Sequence, residues 1–89
     1  MIKILQTPTF RRQTKKLHVN QKHDLDTAIK EIVSNPTIGT MKKGDLAGVR
    51  VYKFKMIKQL TLLAYEAEEQ DCIILLALGN HETFYRDLK

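Results

Sequence analysis

Cys72 is the only cysteine in this 89-residue chain, so no internal disulfide can form. It lies in the apolar run "CIILLAL", where a thiol behaves as a small hydrophobe. Tryptophan is absent, and two prolines and four glycines are too few for a collagen-like or low-complexity chain. The glycines are dispersed, so no phosphate-cradling glycine loop exists, and no nucleophile-elbow motif is present. Three separated histidines, His18, His23 and His81, lack metal-ligand spacing, and no metal or cofactor is expected. No apolar run approaches the ~20 residues that cross a bilayer. The start "MIKILQTP" has no signal-peptide core, which gives the expectation of a reducing cytoplasm and no membrane partner.

What the chain does have is positive charge, unevenly placed. Its formal net charge is +5, with hydrophobic residues at 43%, a composition that supports one folded core. A length of 89 residues fits one domain spanning 1–89. Residues 1–58 carry thirteen Lys and Arg against four acids, whereas the remainder carries two against six. Such polarity suits a polyanion or an acidic protein partner; the bland alternative is a solvated basic surface.

Periodicity sets the expected elements. "IKIL" reads as a first strand, ended by Thr7 as N-cap and Pro8 at the first helical position. Phe10, Thr14 and Leu17 share one face of the helix that follows, with Arg11, Arg12, Lys15 and Lys16 elsewhere. A second helix is predicted from about Asn20 to Ser34, its stripe being Leu25, Ala28, Ile29, Ile32 and Val33. Asn35-Pro36 stops it, and "TIGTMKKGDLAG" reads as loop. Strands are expected over 49–55, at "LTLLAYEA" and at "CIILLAL", then a short final helix or extended tail in "HETFYRDL". The order β-α-α-β-β-β argues an α+β fold, with two N-terminal helices packed on one face of a small, mainly antiparallel sheet. The 49–55 strand mixes apolar and cationic side chains at both parities, so its buried side is open at this point. Either way, Lys53 and Lys55 project from the same face.

The residues fit for chemistry are cationic and aromatic: Arg50, Lys53 and Lys55, then "GNHETFYRDLK". His81 exchanges protons near neutral pH. Phe84 and Tyr85 offer rings for base stacking, as single-stranded RNA readers do. The structural alternative is that Phe84, Tyr85 and Leu88 pack a terminal helix on the sheet.

"YKFK", "LLAY", "LLALGNH" and "HETFYRDLK", in this order, resemble the RelE/ParE superfamily of bacterial type II toxin–antitoxin toxins. The likeness covers essentially the whole chain. It implies a RelE-like fold, a cognate antitoxin partner and, for the RelE and YafQ types, ribosome-dependent cleavage of messenger RNA without metal. Tyr52-Lys53-Phe54-Lys55 matches the RelE-like "Y-K-x-K"; Gly79, His81 and Tyr85 match the YafQ-like tail. The resemblance implies Lys53, Lys55, His81 and Tyr85 as catalytic. Arg50, Lys58, Arg86, Arg11, Arg12, Lys15 and Lys16 are the expected RNA contacts, on message or ribosomal RNA. RelE-like toxins also carry a phosphate-gripping arginine in the next strand, where this chain reads "KQLTLLAY" with Thr61 or Leu62 in register. Arg50, Lys58 or Arg86 must substitute for it, or the activity is lost. The ParE branch, with the same fold, poisons DNA gyrase and is the alternative.

Overall fold

The computed structural model describes residues 2–44, 47–67 and 71–80. Strand β1 (Lys3–Gln6) leads into helix α1 (Pro8–Lys15) and helix α2 (Val19–Ser34). A two-residue strand β2 (Thr40–Met41) precedes β3 (Arg50–Met56), β4 (Gln59–Glu66) and β5 (Cys72–Gly79). The sheet order is β1-β5-β4-β3-β2. All neighbours are antiparallel except β1, which lies parallel to β5. The α+β expectation holds. The structure adds β2, inside the stretch that reads as loop, and the parallel placement of β1.

Local chemistry sets these boundaries. Thr7 caps α1, its Oγ1 accepting from Phe10 N at 3.1 Å, and Pro8 opens the helix. The same hydroxyl donates to the Leu76 carbonyl at 2.7 Å, which ties the β1–α1 junction to β5. Helix α2 ends where Asn35 N donates to Glu31 O at 3.0 Å, just before Pro36. Phe10, Leu25 and Ile32 form one cluster with Leu63, Tyr65, Ile73 and Leu75. Both helices therefore cover the same face of the sheet. A smaller cluster of Val49, Val51, Leu62 and Ala64, with Leu76 against it, lies on the opposite face.

Tyr65 is fully buried and still fully hydrogen-bonded. Its hydroxyl donates to Pro36 O at 2.7 Å and accepts from Gly39 N at 2.9 Å. The Arg50 guanidinium reinforces the same turn, donating to Gly39 O at 2.9 Å and more weakly to Thr37 O at 3.4 Å. Gly39 is required by proximity, because a Cβ there would stand 2.8 Å from the Tyr65 hydroxyl. Through this network the segment leaving α2 reaches β2 in a fixed path.

The β3–β4 turn is less comfortable. Ile57 (φ 50°) and Lys58 (φ 69°) both occupy the left-handed region, as a two-residue hairpin between Met56 and Gln59 requires. A β-branched residue is strained there. Asp24 on α2 holds the turn, its Oδ2 accepting from Ile57 N at 2.8 Å.

Two stability measurements test these readings. Burial raises the Tyr65 pKa above its ordinary value near 10, outweighing the opposing effects of the Gly39 hydrogen bond and the Arg50 charge. A raised folded-state pKa means that the contribution is whole below pH about 10 and disappears as pH climbs through the folded value. Tyr65→Phe leaves the Gly39 N–H and Pro36 carbonyl unpaired, an expected loss of about 1–3 kcal/mol in urea unfolding at pH 7. It also removes this residue's share of the alkaline decline; a loss below 0.5 kcal/mol contradicts the assignment (about half the net value of one hydrogen bond). In the turn, Lys58→Gly relieves strain and is expected to stabilise by about 1 kcal/mol in the same assay. Destabilisation would show the turn to be held differently.

Candidate functional site

Alternation along β3 separates its side chains into two sets. Tyr52, Phe54 and Met56 turn toward the helices and join the main cluster. Val49 and Val51 belong to the opposite cluster, and Lys53 and Lys55 continue that face, both exposed. The valines sit over the buried middle of the sheet, and the lysines project just past it. Two residues apart on a strand, their Cα atoms are separated by about 7 Å, a spacing that lets both ammonium groups reach one phosphate.

Their cross-strand neighbours are apolar. Lys53 pairs with Leu62 and Lys55 with Leu60 on β4. Leu62 pairs in turn with Gly79, the last residue of β5. Lys53, Leu62 and Gly79 therefore stand in one row across three strands, so the chain leaves β5 about 10 Å from Lys53, twice the strand spacing. Of the two residues in register with the RelE-type arginine, Leu62 occupies the lysine face and is buried. Thr61 faces the helices opposite Phe54, its hydroxyl bonded to Gln59 O at 3.1 Å.

The other cations lie apart from this row. Arg50 turns to the helix side, where it binds the Gly39 and Thr37 carbonyls, so the sheet separates it from the two lysines. Lys58 sits at the hairpin tip, exposed. Arg11, Arg12, Lys15 and Lys16 are exposed on α1, on the helix-covered side of the sheet. Arg12 and Lys16 line a shallow groove of about 340 Å³ with Thr9 and Gln13. Lys15 lines another of about 260 Å³ with Lys22. His81, Tyr85 and Arg86 lie outside the described residues. Among the described residues no group of His, Cys, Asp or Glu is placed to hold a metal ion. No described helix is long and apolar enough to cross a membrane.

Two positioning side chains escape a reading of the sequence. Gln13 Oε1 accepts from Leu78 N at 2.7 Å, which satisfies β5 beyond the end of its pairing with β1. Its signal is faint: it falls between Phe10 and Thr14 on the inward face of α1. Asp24 has none, since its partner is a backbone N–H 33 positions away.

Two exposed ammonium groups, with the half-exposed Leu60 beside Lys55, repel cations and attract a phosphate.

Comparisons with known proteins agree on the scaffold. No curated protein sequence matches this one. The intact E. coli RelBE toxin–antitoxin complex contains a chain that superposes with a TM-score of 0.71 at 18% identity, covering 92% of this chain and 99% of that one. A double-arginine mutant of E. coli toxin RelE in the free state gives 0.70 at 16% identity, covering 90% and 83%. The same mutant in complex with an antitoxin RelBc peptide gives 0.69 at 15% identity, covering 99% and 94%. Identities this low establish the fold alone. Residues 4–89 match the family described as ParE-like toxin of type II bacterial toxin–antitoxin systems, and the chain belongs to that family.

Proposed function

We propose that residues 1–89 act as a single toxin domain that cleaves messenger RNA on the ribosome and is silenced by a cognate antitoxin. The observation that supports this best is the Lys53/Lys55 pair, exposed on the sheet face away from the helices and in line with the end of β5. A protein whose only task is to block another by contact has no need of two cations held at one phosphate's width. The RelBE complex and the RelE–RelBc peptide complex make an antitoxin the natural partner. A ribosomal target puts the protein in the cytoplasm.

RNA brings its own nucleophile. The ribose 2′-oxygen attacks the adjacent phosphorus, its proton passes to a base, and the bond to the 5′-oxygen breaks as that oxygen gains a proton. The products are a 2′,3′-cyclic phosphate and a 5′-hydroxyl. Lys53 and Lys55 neutralise the charge that accumulates on the phosphorane. His81 moves a proton, a role worth about 10²–10⁴-fold. Tyr85 stacks on the nucleotide and holds the 2′-oxygen in line. Lys58 and Arg86 bind flanking phosphates, while Arg11, Arg12, Lys15 and Lys16 dock on ribosomal RNA. Arg50 drops out of the RNA contacts, since its guanidinium is committed to two carbonyls.

A second reading has its own support. The family's description is ParE-like, and Thr61 or Leu62, neither of them a cation, stands where RelE-like toxins have a phosphate-gripping arginine. On this reading the chain inhibits DNA gyrase by binding and does no chemistry.

Expression without antitoxin, followed by mapping of transcript ends, separates the two. The expected result is breaks within translated messages, reduced at least about 100-fold by His81→Ala and similarly by the double change Lys53→Ala/Lys55→Ala. Intact messages with inhibited supercoiling would overturn the nuclease in favour of the gyrase reading.

A further inference from the structure

Helix α1 takes over from β1 as the neighbour of β5. The β1 pairing ends with Gln6 opposite Leu75, where Thr7 N donates to Leu75 O at 3.1 Å. Beyond it, the Thr7 hydroxyl donates to Leu76 O and the Gln13 Oε1 accepts from Leu78 N, both at 2.7 Å. Only the oxygen of a side-chain amide can accept from a backbone N–H, so this bond fixes which way the Gln13 group is turned. Its Nε2 is directed away from Leu78, and the two N–H groups on it have no partner among the described residues.

That amide lines a groove of about 340 Å³ whose other lining residues are Thr9, Arg12 and Lys16. Arg12 and Lys16 are four positions apart, a spacing at which like charges on a helix repel. α1 holds no acid, and neither cation is in an ion pair among the described residues. Among those residues the Arg12 guanidinium has one bond, a long one to the Thr9 hydroxyl at 3.4 Å. A helix dipole favours cations in the last turn, but it does not call for an amide donor fixed among them. The groove thus offers a planar guanidinium, an ammonium and an amide N–H, all of them donors. Such a set selects an anion with several acceptor oxygens, which is the chemistry of phosphate. Lys15 and Lys22 line the next groove, so cations continue past this one, as the path of a polymer backbone requires and an isolated ion does not.

We propose that this groove seats one phosphodiester of an RNA backbone between Arg12 and Lys16, and that the Gln13 amide, donating to it, links the seat to β5 at Leu78. RNA as the source of that phosphate rests on the nuclease reading. The link runs through one planar group: an anion that accepts from Nε2 pushes charge onto Oε1, and the bond to Leu78 N strengthens. Leu78 precedes His81 by three positions. Docking of RNA on α1 therefore steadies the strand end from which the segment with the proposed proton carrier departs.

The test is an NMR titration of the isotope-labelled full chain with uridylyl-uridine, which carries one phosphodiester, with inorganic phosphate and with uridine. The dinucleotide is expected to move the Leu78 amide proton downfield and to shift the Gln13 side-chain amide along the same saturation curve. Uridine is expected to move neither. Gln13→Glu keeps an acceptor for Leu78 N and removes the donor. Its Leu78 amide is expected to stay slow to exchange while dinucleotide affinity falls at least about tenfold. The double change Arg12→Gln/Lys16→Gln is expected to lower affinity as much with the Leu78 bond intact. A Leu78 amide that does not move at saturation, or equal affinity in Gln13→Glu, overturns the proposal. Inorganic phosphate binding more than about tenfold tighter than the dinucleotide would overturn RNA as the source. The titration contains no message and no ribosome. A filled seat in a chain that leaves transcripts intact would reject the nuclease and keep the seat, and cut transcripts with an empty seat would do the reverse.

Discussion

The register of the β3–β4 hairpin is the constraint on which the rest depends. Seven residue pairs run from Arg50–Tyr65 to Met56–Gln59. Because side chains alternate, a slip of one residue would send Lys53 and Lys55 into the helix-covered core and put Tyr52 and Phe54 in water. Burying two ammonium groups without partners costs far more than the strain of the turn that prevents it. This makes the Ile57–Lys58 conformation intelligible: the short turn fixes the count, and the Asp24 hydrogen bond fixes the turn to α2. The same register puts Arg50 beside Tyr65, where both secure the segment entering β2.

A sheet covered on one face by helices normally leaves the other face polar. Here the middle of the far face is apolar and buried as well, through Val51, Leu62 and Ala64. This double burial gives β4 its unbroken run of buried residues from Thr61 to Tyr65. It also explains why β3 mixes types at both parities. The two valines serve the far-side cluster, and the lysines begin where that cluster ends.

The helices and the later strands were legible because their signals are local: Thr7-Pro8, Asn35-Pro36, the Leu25–Val33 stripe and the apolar β5. What escaped is non-local. β2 has no propensity of its own and exists because Tyr65 and Arg50 hold the preceding turn against β3. The hairpin turn carries neither asparagine nor glycine, so its residues do not announce it. Arg50 looks in the sequence like its lysine neighbours, and only its even position on β3 sends it to carbonyls on the other side. For the lysine pair, spacing alone gave the shared face, whereas the choice of face needed the tertiary partner of each valine.

Leu62 bears on both functional readings. A buried leucine between Lys53 and Gly79 offers a phosphate nothing, so in a nuclease the whole burden of charge compensation falls on β3 and on residues beyond Asn80. Two lysines assigned to the phosphorane are then poorly free to shuttle protons, and that duty passes to the imidazole of His81, the one neutral-pH titrating side chain in the segment after β5. In a gyrase binder the buried Leu62 makes no contact either, and the half-exposed Leu60 across from Lys55 is the apolar side chain open to a partner. The fold accommodates either use. The proposed cleavage carries one requirement that gyrase binding does not: a metal-free route through the 2′-oxygen cannot run without a proton carrier, and His81 is the histidine that follows β5 in the sequence.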